Sequence, residues 1–180
     1  QPTEVQYSFK MSDVVATPVE SGRYASIAKV PAVISGQTIN IAKMMINKIL
    51  FKEVREQRAW TYSITCSLHN FQHFHEFSID CKAFDIKALN EIEKVVDDCI
   101  TSIGEDAELF EQKKRCALAN MLDTSGKGLC DGATDDLIDY HRIISVAEYN
   151  KSVERVTMKD IREVIDWLHP EQRWTLVVHP

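Results

Sequence analysis

Residues 54–83 read VREQRAWTYSITCSLHNFQHFHEFSIDCKA. A helical period ends inside this stretch and strict alternation begins, with neither glycine nor proline between them. Upstream, Ala42, Met45, Ile46, Ile49, Leu50 and Val54 recur at three- and four-residue steps, which predicts a helix with one apolar face over about 38–58. Downstream, Trp60, Tyr62, Ile64, Cys66 and Leu68 share one side, and Thr61, Ser63, Thr65 and Ser67 the other. Alternation resumes with Phe77, Ile79, Cys81 and Ala83 inward and Glu76, Ser78, Asp80 and Lys82 outward. Two such runs joined by a short polar loop predict an antiparallel hairpin with one wet face.

Working outward, the segment before the helix, SGRYASIAKVPAVISG, reads as one strand bounded by Ser21-Gly22 and Ser35-Gly36. Pro31 puts that strand at an edge or ends it there. After the hairpin the chain turns helical. Asp85 is placed to cap a helix bearing Ile86, Leu89, Ile92, Val96, Ile100 and Ile103, with Gly104 to stop it. A second helix is acidic at its start and basic further on, the order the helix dipole favours, and buries Phe110, Ala117, Leu118, Met121 and Leu122. The glycines of DTSGKGLCDG interrupt, a helix around 135–144 follows, and Thr157-x-x-Asp160 opens a last helix with Ile161, Val164, Ile165 and Leu168 buried. RWTLVVHP closes as a strand. Strands grouped with helices to one side predict an α+β fold, helices packed on one face of a mainly antiparallel sheet.

Composition is consistent with this. At 180 residues, the chain is long enough to bury a core as a single domain over 1–180. Its 44% hydrophobic and 27% charged residues are those of an ordinary globular protein. The opening QPTEVQYSF reads as the interior of a longer polypeptide. The net charge of −6, with acids and bases interspersed, argues against a nucleic-acid partner, and no apolar run reaches membrane-span length. Five cysteines without a C-x-x-C pair give neither a zinc ribbon nor a redox motif, and free thiols favour a reducing compartment.

Chemistry is sparse. His69, His73, His75 and Glu76 cluster within HNFQHFHEF, a possible metal module, but the hairpin loop places them loosely and their spacing is not that of a zincin helix. G-x-S-x-G and P-loop patterns are absent. At the helix–strand junction, Arg55 and Tyr62 lie seven residues apart. Two readings stay open there. Arg55 can cap the helix C-terminus while Tyr62 points into the core; or the guanidinium and the phenol can face one space, where they suit a peptide carbonyl oxygen or charge developing on it.

The run NKILFKEVREQRAWTYSITCSL resembles the L-F-x-x-[LV]-R-E-x-x-G-L-x-Y-S-[VI] segment of the pitrilysin/insulinase family of zinc metallopeptidases. DIKALNEIEKVVDDCITSI, VERVTMKDIREVIDWL and WTLVVHP are similar to the family's later helices and closing strand, so the resemblance covers residues 40–180. It implies one half of a two-half clamshell. In the family, the N-terminal half carries an H-x-x-E-H zinc motif, and the C-terminal half carries an arginine and a tyrosine that engage the substrate backbone. No H-x-x-E-H occurs here. The chain therefore resembles the zinc-free C-terminal half, inactive by itself, with Arg55 and Tyr62 as the substrate-binding residues. Zinc is expected only in a partner half, in cis or in trans, and an extended peptide is the expected substrate. A non-catalytic scaffold or peptide-binding subunit is the alternative. Related enzymes occur in the cytosol, periplasm and mitochondria, so the resemblance leaves the compartment open. The family's Gly-Leu is Ala59-Trp60 here, and MMINKI replaces a glycine-rich stretch, which implies a bulkier, stiffer cavity edge.

Overall fold

The computed structural model describes residues 22–71, 73–83, 86–120 and 143–178. Several sequence expectations lie outside them: the Asp85 cap, Met121 and Leu122, the glycine-rich break and most of the helix over 135–144.

Alternation in the first strand, β1 (Gly22–Pro31), buries Tyr24, Ser26, Ala28 and Val30 and exposes Arg23 and Lys29. Pro31 ends the strand, yet β1 is central rather than at an edge. It pairs antiparallel with β3 (Phe74–Ala83) on one side and β4 (Arg173–Val178) on the other, and β2 (Ile64–Asn70) completes the order β2-β3-β1-β4. Proline is tolerated because it stands at the last paired position, opposite Phe74, rather than mid-ladder.

Between β1 and β2 runs α1 (Gly36–Leu50). Ser35 caps it, its hydroxyl accepting from the Thr38 amide at 3.2 Å. Met45, Ile46 and Leu50 form its fully buried stripe, as the period predicts. Asn47 faces the sheet: its amide donates to the Cys66 carbonyl and accepts from the Cys66 amide, both at 2.8 Å. This occupies two main-chain groups of edge strand β2 that would otherwise invite a foreign strand.

The remaining helices are α2 (Ile86–Ser102), α3 (Ala107–Asn120), α4 (Val146–Arg155) and α5 (Met158–Trp167). Of the helices, α1, α2 and α5 pack on the face of the sheet that bears Tyr24, Phe77, Ile79 and Cys81, and α3 and α4 pack against α1, giving one core. On the opposite face, the Lys29 ammonium lies 4.7 Å above the Phe74 ring and 5.3 Å from the Trp174 ring. Thr157 and Asp160 form the expected capping box of α5. An equivalent box, Ser145 with Glu148, starts α4, a helix the apolar period does not announce. Gly104 lies in the turn after α2, and a Cβ there would come to 3.0 Å from Ile165 Cδ1, so a larger residue would have to push that side chain of α5 aside. Lys114 of α3 donates to the carbonyls of Glu154 and Val156, each at 2.7 Å, satisfying the end of α4.

Among the described residues, one permanently charged side chain enters the core. Arg173, at the start of β4, has a side chain only 2% exposed and pairs with Asp97 of α2. Burial pushes its pKa below the ordinary guanidinium value, although nearby Tyr24 and Glu93 act in the opposite sense. Burial also raises the Tyr24 phenol above 10.0, against the pull of Arg173.

Candidate functional site

The helix predicted through about residue 58 is continuous but changes character. After Leu50 the main chain widens into a π-helical segment, Phe51–Gln57, a rare i→i+5 winding that is frequent at functional sites. Val54 alone is buried in it, which holds the segment to the core and leaves Arg55 exposed. The Arg55 guanidinium lies 4.7 Å over the Phe51 ring, one turn back. It does not serve as the helix cap. Arg58 does: its Nη1 donates to the Glu53 carbonyl at 2.8 Å and to Glu53 Oε2 at 2.9 Å.

What ends the helix without glycine is Ala59, which takes φ 51°, the left-handed conformation. This is the position at which the resembled family carries glycine. The next amide, Trp60 N–H, closes on the Val54 carbonyl at 3.1 Å, as in a Schellman-type end stretched by the wider winding. Trp60 is half-buried against the core, and its ring accepts the Arg58 guanidinium at 5.5 Å.

The left-handed turn breaks the parity expected of the next residues. Regular pairing begins at Ile64, not at Trp60. Thr61 is buried (5% exposed), its hydroxyl donating to the Ser63 carbonyl and accepting from the Ser63 amide. Tyr62 is 79% exposed. Of the two readings left open, the core-facing one fails for Tyr62, because two successive turns, at Ala59 and at Thr61–Ser63, shift the alternation by one. From Ile64 onward the expected pattern holds, with Cys66, Phe77, Ile79 and Cys81 buried.

The loop histidines part company. His69 and His73 are exposed, whereas His75 lies within β3, buried, with Nε2 3.2 Å from the Ile34 carbonyl and Nδ1 2.8 Å from Asn70 Oδ1. The carbonyl can only accept, so Nε2 carries a hydrogen and both ring nitrogens are engaged. That corrects the view of His75 as a loose loop residue. Among the described residues, no group of three or more His, Cys, Asp or Glu is disposed to hold a metal ion. Burial pushes the thiols of Cys66, Cys81 and Cys99 up to about 12, so they are poor thiolate donors. The described residues of this chain do not fit a zinc site.

No protein-family model and no curated protein matches the sequence. Solved structures do. A periplasmic protease from Escherichia coli, PqqL, superposes at TM-score 0.70 with 13% identity, over 91% of this chain and 20% of its own. An inactive domain of an M16 peptidase from Pseudomonas fluorescens superposes at 0.71 with 16% identity, over 89% of this chain and 42% of its own. The inactive peptidase domain of a zinc protease from Bordetella parapertussis gives 0.70 at 9% identity, over 93% and 97%. The chain thus spans well under half of the first two. The fold is that of M16-type peptidase domains, inactive ones among them. No helix among the described residues is long and apolar enough to cross a membrane.

Sequence reasoning gave Arg58 no capping role and Ala59 no left-handed turn. The signal was present: a helix that runs into a strand without glycine obliges some residue to take the left-handed turn.

Proposed function

We propose that this chain is the zinc-free, substrate-binding half of a peptide-hydrolysing enzyme, and that Arg55 and Tyr62 bind the backbone of an extended peptide. The supporting observation is the exposure of both side chains at one junction, Arg55 on the π-helical exit and Tyr62 on the turn into β2. Arginine offers a permanently charged planar set of donors and tyrosine a phenolic hydroxyl. A peptide carbonyl needs such donors, and needs them more as negative charge develops on its oxygen. Zinc and the general base would come from a partner half with the H-x-x-E-H motif, to which the residues here contribute orientation and charge stabilisation.

The test uses the assembled protein. Tyr62→Phe and Arg55→Ala are expected to lower kcat by about 10²–10³, the usual loss for one donor to a developing oxyanion, with zinc content unchanged. Wild-type activity in both variants would defeat the assignment. Two of the matched structures are domains described as inactive, which favours a second reading, a peptide-binding scaffold that assembles without hydrolysis. In that case the assembled protein binds peptide through the same two residues but releases it uncut.

A further inference from the structure

Resting on the assignment of Arg55 and Tyr62 as peptide contacts, we propose that Arg58 is the positioning residue of the pair, because it locks the left-handed turn at Ala59 that delivers Tyr62 to solvent. Arg58 and Trp60 flank Ala59, and both are tied back to the helix. Arg58 reaches Glu53 twice through Nη1, at 2.8 and 2.9 Å, and Trp60 donates its amide to Val54 at 3.1 Å. The Arg58 guanidinium then covers the Trp60 ring at 5.5 Å, closing the loop between the two anchors. Ala59, at φ 51°, is held between them.

An unrestrained alanine avoids this conformation because its Cβ crowds the following carbonyl. Glycine has no such crowding. Where the resembled family writes glycine, this chain writes alanine, and the Arg58 clamp supplies the restraint that glycine would make unnecessary. Beyond the turn, Thr61 is buried and bonded to Ser63 on both its donor and acceptor sides, so the orientation set at Ala59 passes to Tyr62 with little slack. The Arg58–Glu53 pair is partly exposed, and pairs of that kind contribute little to global stability. Its effect is local.

The experiment labels the full chain with 3-fluorotyrosine and follows the ¹⁹F resonance of residue 62, assigned by its disappearance in Tyr62→Phe. Arg58→Ala is expected to lower the equilibrium constant for the native turn roughly tenfold, the scale of the left-handed penalty, moving that resonance toward its denatured position. The buried Tyr24 resonance stays in place. Adding Ala59→Gly to Arg58→Ala is expected to bring the residue 62 resonance back, because glycine holds the turn unaided. An unmoved resonance in Arg58→Ala, or a double variant that behaves like Arg58→Ala, overturns the proposal. Movement of the Tyr24 resonance that glycine fails to repair overturns it too, since that marks general loosening. In the assembled peptidase, kcat/KM is expected to follow the same series, falling in Arg58→Ala and recovering with glycine. If the ¹⁹F series holds while Arg55→Ala and Tyr62→Phe keep full activity, the lock stands and the peptide-contact assignment falls.

Discussion

Replacing Ala59 by glycine is expected to stabilise the protein, although it removes a methyl group and loosens the unfolded chain. A left-handed φ of 51° costs an alanine about 1–2 kcal/mol relative to right-handed backbone. Glycine escapes most of that cost but gives back about 0.4–1 kcal/mol, because it has more conformational freedom to lose on folding. Ala59 is exposed, so no packing is lost with the methyl. The net gain is about 0.5–1 kcal/mol, which in a domain of this size raises Tm by roughly 1–4 °C. Urea unfolding followed by tryptophan fluorescence, with calorimetry for Tm, measures it. Ala59→Val is the matched control: a β-branched side chain in the left-handed region is more strained, so it lowers stability by about 1 kcal/mol or more. If glycine destabilises by about 0.5 kcal/mol or more, Ala59 is not left-handed and the account of how the helix ends is wrong.

Asp97→Ala is expected to cost about 3–5 kcal/mol, because it leaves the guanidinium of Arg173, whose side chain is 2% exposed, without its carboxylate in the core; chemical denaturation reads the loss. Stability is also expected to decline in alkali. The thiols of Cys66, Cys81 and Cys99 are raised from 9.0 to about 12 in the fold, so between these values the native state holds protons that the unfolded chain releases. Their contribution is complete below pH 9.0 and is lost as pH climbs toward 12, the direction in which the raised Tyr24 phenol also acts. Unfolding free energies at pH 8, 9.5 and 10.5 check the sign, and a flat or rising profile contradicts the burial of these groups.

The architecture was legible where one rule governed many residues at once. The period of Met45, Ile46 and Leu50 gives α1, and the alternation from Ile64 to Cys81 gives the hairpin, because in both cases one face is dry and the other wet. The site was less legible because it is built from single departures. One alanine in the left-handed region, followed by one Thr61–Ser63 turn, is enough to exchange the fates of Thr61 and Tyr62, and alternation carries no record of such a slip. The π-helical winding leaves no mark in composition either. The start of α4 was readable from Ser145 and Glu148, but a helix that buries only Val153 offers too thin an apolar stripe to draw attention. Arg173 shows the opposite case: a charge expected at the surface is drawn into the core by a partner, Asp97, that stands 76 residues earlier in the chain.

The most direct measurement of the proposed function is a double-mutant cycle on the assembled protein, comparing kcat/KM for Arg55→Ala, Tyr62→Phe and the combined variant on one extended peptide. If both side chains act on the same backbone group, each single change costs most of the rate and the combination costs little more, a clear departure from additivity. Two singles at wild-type rate, or losses that simply multiply, would show that the two residues do not act together on the peptide.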